Sequence, residues 1–254
     1  MIRLVDNDLS GAELRRICSA DDICACRIGS LFESYGRHES LARFWTGRDE
    51  NDNAFATALY CSNACIYCTG SVISDELADF INVLSPKTIF SRQDTCLSGS
   101  TQLSLMSLKG KRTPPITSQA EIFSGYCDVP TREIYALLQS CRCEDIGDIP
   151  YNDFASELLH FQRFGNPFCS IVRDGGAVVS FAMVQFITRS CAVIGAVCTA
   201  PGSRRMGYGS LCVSALTNAL QDRTIYIVRN PDRNRSFYRN LGFSDDGSVY
   251  SAKL

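Results

Sequence analysis

Residues 196–216 read AVCTAPGSRRMGYGSLCVSAL. A run of small and β-branched residues stops at Pro201. A loop carrying Arg204, Arg205, Gly207 and Gly209 follows, and a helical stretch begins after it. Glycines at a strand-to-helix turn permit positive φ and let a ligand approach the main chain. The first turn of the helix leaves amide N–H groups without internal partners, and the helix dipole adds positive potential there. The turn is therefore a candidate anion site, suited to phosphate.

Local charge points the same way. Residues 201 to 242 hold seven arginines against two aspartates, which leaves +5 there and −7 for the remainder of a chain whose formal net charge is −2. A positive patch on an acidic protein fits a small polyanion better than nucleic acid. About twenty residues past the loop comes the strand-like TIYIVRN (224–230), and then NRSFYRNLGF (234–243).

Together these segments resemble the GNAT-type N-acetyltransferases. Arg204-Arg205-Met206-Gly207-Tyr208-Gly209 matches that family's pyrophosphate loop, Arg/Gln-x-x-Gly-x-Gly/Ala, and NRSFYRNLGF is similar to its Asn…Phe-Tyr-x-x-x-Gly-Phe signature. The resemblance covers roughly residues 120 to 254. It implies a mixed α/β fold, a mostly antiparallel sheet flanked by helices and splayed at a coenzyme A site. It implies an enzyme that moves the acetyl group of acetyl-CoA directly to an amine on a small molecule or peptide. The main chain of Val197, Cys198 and Thr199 would pair with the pantetheine arm. The amides of Arg205, Met206, Gly207, Tyr208, Gly209 and Ser210, beside Arg204, would cradle the diphosphate. Asn230 would touch the pantetheine; the interval from Asn230 to Tyr238 is one residue longer than in many relatives, so Asn234 is the alternative. Tyr238 would be the general acid that protonates the leaving thiolate, as a phenol with a pKa above that of the thiol can. The plainer reading makes Gly207 and Gly209 a tight turn and Tyr238 a packed aromatic beside Phe237 and Phe243. The strand before the loop has no acid to serve as a base, and Glu157 and Glu133, on the preceding helices, are the candidate substitutes. A non-catalytic acyl-CoA sensor and an enzyme for longer acyl groups are the rival functions.

A second stretch competes. Cys61, Cys65 and Cys68 in CSNACIYC are spaced C-x3-C-x2-C and resemble the cluster loop of radical S-adenosylmethionine enzymes. That family needs a partial barrel of strand–helix units after the loop, and only about sixty residues precede the GNAT-like region. The segment also reads as two strands of a hairpin, and chance matches are easy among fourteen cysteines. Packing is the preferred reading, for Cys24/Cys26 and Cys141/Cys143 too, and no metal site is expected.

The 254 residues are enough for one large domain or two modest ones. No apolar run approaches a bilayer span, and MIRLVDNDLSGAELRR lacks an apolar signal core. The expected setting is the cytoplasm, with neither membrane nor nucleic acid as partner. Residues 1–97 run strand, helices, hairpin, helix, strand, a loose echo of the second half. They are expected to be an N-terminal lobe, a diverged GNAT-like copy without coenzyme A. Residues 98–119, rich in Ser, Thr, Gly and Pro, read as a linker or an edge strand, and residues 120–254 as the acetyltransferase domain.

Overall fold

Capping residues fix the first helices. In α1 (Asp8–Ile17), the Asn7 side chain accepts from the Ser10 amide at 3.0 Å while the Ser10 hydroxyl accepts from the Asn7 amide at 3.2 Å. In α2 (Ile23–Tyr35), Asp22 accepts from the amides of Cys24 and Ala25 at 2.8 and 3.0 Å. Each such bond satisfies a donor that the helix itself leaves open. The computed structural model describes residues 1–36, 41–60, 65–69, 75–94, 99–110, 119–141, 150–163 and 166–253.

Before α1 stands β1 (Arg3–Leu4). After α2 come β2 (Ala42–Arg48), β3 (Ala54–Tyr60), β4 (Cys65–Cys68), α3 (Asp75–Leu84), β5 (Thr88–Ser91) and β6 (Ser100–Leu108). The second half follows with β7 (Ala120–Ser124), α4 (Thr131–Cys141), α5 (Tyr151–Gln162), β8 (Pro167–Asp174), β9 (Ala177–Ile187) and β10 (Cys191–Thr199). It closes with α6 (Tyr208–Ala219), β11 (Thr224–Arg229), α7 (Arg235–Asn240) and β12 (Ser244–Lys253). Apart from α7, the two halves repeat one order of elements.

One sheet joins all the strands, in the order β1-β2-β3-β4-β5-β12-β6-β11-β10-β9-β8-β7. The order reads as a palindrome of the two halves. Only β4–β5 and β10–β11 pair in parallel, at matching places. At the centre the halves interleave: β12 separates β5 from β6, and β6 separates β11 from β12. The expected linker or edge strand at 98–119 is thereby corrected. Residues 100–108 form an interior strand, because the alternation in TQLSLMSL serves two buried faces. Leu105 enters the core on one side of the sheet and Met106 the core on the other. Residues 111–118 lie outside the described segments. The strand β7 had no sequence signal of its own.

Helix α2 is apolar nearly all round, and from Ile23 to Leu31 every residue but Arg27 is buried. Such a helix needs cover on all sides. The twisted sheet provides it: α2 touches β2, β3 and β4 of the first half and β9 and β10 of the second. Polar bonds tie the halves together there. Ser30 Oγ accepts from the Ile187 amide at 3.0 Å, and the Tyr226 hydroxyl donates to Asp21 at 2.6 Å. That face carries α1 and α2, then α4 and α5 further along; α3 and α6 cover the other.

Cys24, Cys26, Cys65 and Cys68 follow the packing reading. Cys65 and Cys68, three apart on β4, fall on opposite faces of the sheet, Cys65 against the α2 core and Cys68 in the α3 core. Burial pushes the Cys68 thiol up to about 12, away from the thiolate a cluster requires. Cys61 and Cys143 lie outside the described residues.

Candidate active site

Strand β10 is where the sheet loses regularity. Its ladder with β9 shifts register between Val193 and Ile194 and again between Gly195 and Cys198, and Ala196 there has φ 51°. A bulge frees main-chain groups and bends its strand. On the other side, β10 pairs with β11 only at Cys191–Thr224, Ala192–Ile225 and Val193–Tyr226. Beyond that the two strands part, and residues 194–199 have no ladder partner in β11. The opening is a cleft of about 1120 Å³. Its lining comes from both sides of the sheet: Ile194, Val197 and Ile227 belong to the α6 core, whereas Cys198, Leu103 and Val228 belong to the opposite face.

At the end of β10 the chain turns into α6. Arg205 and Gly207 adopt φ 68° and 85°, and Gly207 caps the helix without any side-chain bond. A Cβ on Gly209 would stand 3.2 Å from Thr199 Oγ1, so the loop lies close on the strand. None of the amides of residues 205 to 210 has a hydrogen-bond acceptor among the described residues; the first amide past the turn to find one is Leu211, on Gly207 O at 3.1 Å. Six bare donors face the positive end of a twelve-residue helix. Arg204 Nε reaches back to Thr199 O at 3.3 Å, and Tyr208 anchors the helix start by donating to Asp174 at 2.9 Å.

The far wall is the loop between β11 and α7. Arg229 is 8% exposed, and its guanidinium holds the carbonyls of Asn230, Pro231 and Arg233 at 2.9, 2.7 and 3.1 Å. Asn230 Oδ1 accepts from the Asp232 amide at 3.0 Å, which shapes the turn. Asn234 sits at φ 62° and starts α7. Both asparagines line the cleft, so the structure leaves each in reach of a ligand. Tyr238 also lines it, its ring edge-on to Phe237 and Phe243 with centroids 4.9 and 5.8 Å away. The packed-aromatic and cleft-facing readings of Tyr238 are thus both true of one side chain. Val197, Cys198, Thr199, Arg204, Arg205, Gly207, Tyr208, Gly209 and Ser210 border the same cleft; Met206 is 60% exposed beside it.

The proposed substitute bases lie elsewhere. Glu133 is held by Arg173 in a two-pronged pair at 2.6 and 3.1 Å, which lowers its pKa, and it does not line the cleft. Burial raises the Glu157 carboxyl, but Glu157 does not line the cleft either. Two residues that sequence reasoning missed do line it or overhang it. Cys141, at the end of α4, donates to Thr199 O at 3.4 Å; the Cys198 thiol, then Ser140 and Arg204, bring its pKa down to about 6. Gln185, at the first register shift of β9, lays its amide over the Cα of Gly195, where a Cβ would collide with it.

A mixed sheet opened between two parallel strands, beside a turn of bare amides at a helix start, defines the class of acyl-CoA N-acyltransferase folds. Residues 131–243 match the family model described as the acetyltransferase (GNAT) family, so the chain carries a GNAT-family domain. Solved structures of the same fold span the whole chain. A Drosophila protein is 14% identical, with a TM-score of 0.64 over 100% of this chain and 98% of its own. A GCN5-related N-acetyltransferase from Sphaerobacter thermophilus is 11% identical, with a TM-score of 0.59 over 100% and 95%. A tandem GNAT protein from the clavulanic acid biosynthesis pathway is 12% identical, with a TM-score of 0.56 over 100% and 98%. No curated protein sequence matches the chain.

Proposed function

We propose that the chain transfers the acetyl group of acetyl-CoA directly to an amine, with no covalent enzyme intermediate. The row of bare amides from Arg205 to Ser210 carries this reading, because it leaves a diphosphate-sized set of donors at a helix start. Acetyl-CoA would supply the activated thioester carbonyl. Val197 to Thr199 would hold the pantetheine arm as an added strand along the unpaired edge of β10. Arg204, and Arg233 across the cleft, would add positive charge for the phosphates. Tyr238, fixed by two aromatic neighbours, would give its phenolic proton to the departing thiolate. Much of the rate would come from holding both reactants in one cleft.

The amine acceptor would come from the α2 and α4 side of the sheet, opposite α6. With no carboxylate of the two considered at the cleft, the amine would lose its proton to water. The cytoplasm suits a protein whose described cysteines are all free. A thermal melt with acetyl-CoA tests binding: ligand at a hundred times its dissociation constant should add about 2.7 kcal/mol of stability. Tyr238→Phe tests the chemistry. It should keep that stabilisation and lose turnover, followed as thiol release, by roughly 10²- to 10⁴-fold. Stabilisation without turnover in the unmutated chain, against any amine, would make it an acyl-CoA sensor.

A further inference from the structure

Arg27 is the one residue of α2 from Ile23 to Leu31 that is not buried. Its guanidinium carbon stands 3.7 Å from the ring centre of Phe90, 5.1 Å from that of Phe186 and 5.3 Å from that of Tyr67. Phe90 and Tyr67 belong to the first half of the sheet and Phe186 to the second, so the cation sits where the halves meet. Its Nε is buried without a hydrogen-bond partner, and no described carboxylate pairs with the group. Asp22, the nearest acid along its helix, is committed to the helix cap and to Arg92 at 3.3 Å.

Magnitudes show why this arrangement is incomplete. Stacking on aromatic faces returns about 0.5–2 kcal/mol. A buried donor without an acceptor costs about 1–3 kcal/mol, and more on a charged group. The missing partner is an anion. The neighbours of Arg27 point to where it comes from. Phe186, Leu103 and Val228 are half-buried members of the cluster under α2, and Leu103 and Val228 line the acyltransfer cleft. The residue before Phe186 is Gln185, whose amide covers Gly195 on the strand meant to carry the thioester arm. That amide has no hydrogen-bond partner among the described residues, and Gln185 is half-buried.

We infer that Arg27 and Gln185 form the acceptor subsite, and that the acceptor is a small amine bearing its own anionic group, such as an amino acid or an aminosulfonate. Arg27 takes the anion, and Gln185 accepts a hydrogen bond from the amine over Gly195. This rests on the acyltransferase reading of the cleft and specifies its substrate class.

The test uses the full chain with acetyl-CoA and a matched panel: glycine, β-alanine and taurine against glycinamide, ethylamine and cadaverine. One charge-assisted bond of about 1.5–3 kcal/mol predicts a roughly 10- to 100-fold advantage in kcat/KM for the anionic amines. Arg27→Met keeps the stacking volume and should erase that advantage by raising KM for anionic acceptors, with the acetyl-CoA stabilisation unchanged. Arg27→Lys keeps the charge and should recover part of it. Gln185→Ala should lower kcat/KM for every amine without changing the anionic preference. A panel that favours neutral or cationic amines overturns the inference. So does an Arg27→Met variant that melts lower and loses activity equally on all acceptors, which would make the residue a staple between the halves. Failure of the parent reading shows separately, as absence of any stabilisation by acetyl-CoA, and would take the inference with it.

Discussion

The parallel joints β4–β5 and β10–β11 are one construction made twice, and among the described residues only the second opens. Strand β4 pairs with β3 and with β5 along its whole length, Cys65 to Cys68, without a register shift. Strand β10 pairs with β9 through two shifts and with β11 over three residues only. The difference lies in the β9–β10 ladder, in Gln185, Gly195 and the left-handed Ala196. A non-glycine residue at positive φ costs of order 1–3 kcal/mol. The described residues of the first joint avoid that cost. The second half carries it and gains an unpaired strand edge at the head of a turn of bare amides. Sites in this fold are local departures from a regular sheet, and the described part of the first joint stays regular.

The largest expected effect breaks the comparison itself. The halves interleave at β6 and β12, so the region matched by the family model lacks a strand of its own sheet. A fragment of residues 120–254 loses Leu105, Met106 and Leu108, all buried. At roughly 1.5–3 kcal/mol for each large apolar side chain, that is about 5–9 kcal/mol, within the 5–15 kcal/mol of a whole domain. The full chain should melt in one transition by circular dichroism, and the fragment should show none. A cooperatively melting fragment would mean that the halves are independent.

Next comes the turn. Gly207 and Gly176 both have φ near 85° with nothing near a prospective Cβ. Valine at either position should lower stability to a similar degree. Only Gly207→Val should also weaken acetyl-CoA binding, by roughly 5- to 150-fold for 1–3 kcal/mol of strain that the ligand must restore. Equal affinity losses at the two sites, measured by calorimetry, would detach the ligand from this turn.

Sequence carried the second half better than the first for a physical reason. A phosphate turn needs glycines and bare amides at fixed spacing, so 204–209 is legible from the order of its residues alone. Helix α3 was legible too, because acids stand in its first turn and Pro86 follows it, whereas α1 and α2 read only as one or two helices. The strand β6 was misread because a central strand serving two different cores shows short alternation, and Ser and Thr fill the remaining positions as they would in a linker. Gln185, Arg27 and Cys141 gave no signal. Each acquires its role from a bulge, an aromatic cage or a strand distant in sequence. Glycine at 195 was the one available hint, since it marks where another side chain occupies its space.

Thiol chemistry gives a smaller and more local contrast. Cys141 faces the cleft at a pKa of about 6, whereas Cys68 in the first half is at about 12 and Cys24 is raised well above the ordinary range by burial. Iodoacetamide should reach Cys141 before either of the others. Coenzyme A should slow that reaction and leave the rest unchanged, as peptide mapping would show. Labelling of Cys68 before Cys141 would contradict the burial assigned to each.

The smallest effect concerns exposed acids, one in each half. Asp245 accepts from Arg235 and Arg239, both at 2.7 Å, and so ties the helix that carries Tyr238 to β12. Asp52 pairs with Arg48 at 3.2 Å on a turn far from any cleft. The two arginines hold the Asp245 carboxyl down to about 2. A carboxyl whose native value lies below its unfolded one, near 4, contributes stability above pH 4 and loses that contribution as pH falls towards 2. Asp245→Asn should therefore lower Tm slightly at pH 7, the gap to the unmutated chain should close between about pH 4 and pH 2, and salt should shrink it. It should also slow turnover by loosening α7, whereas Asp52→Asn should leave turnover untouched. If the two substitutions act alike on rate, the Asp245 pairs do not hold the helix of Tyr238, and its position rests on other contacts, Phe237 and Phe243 among them.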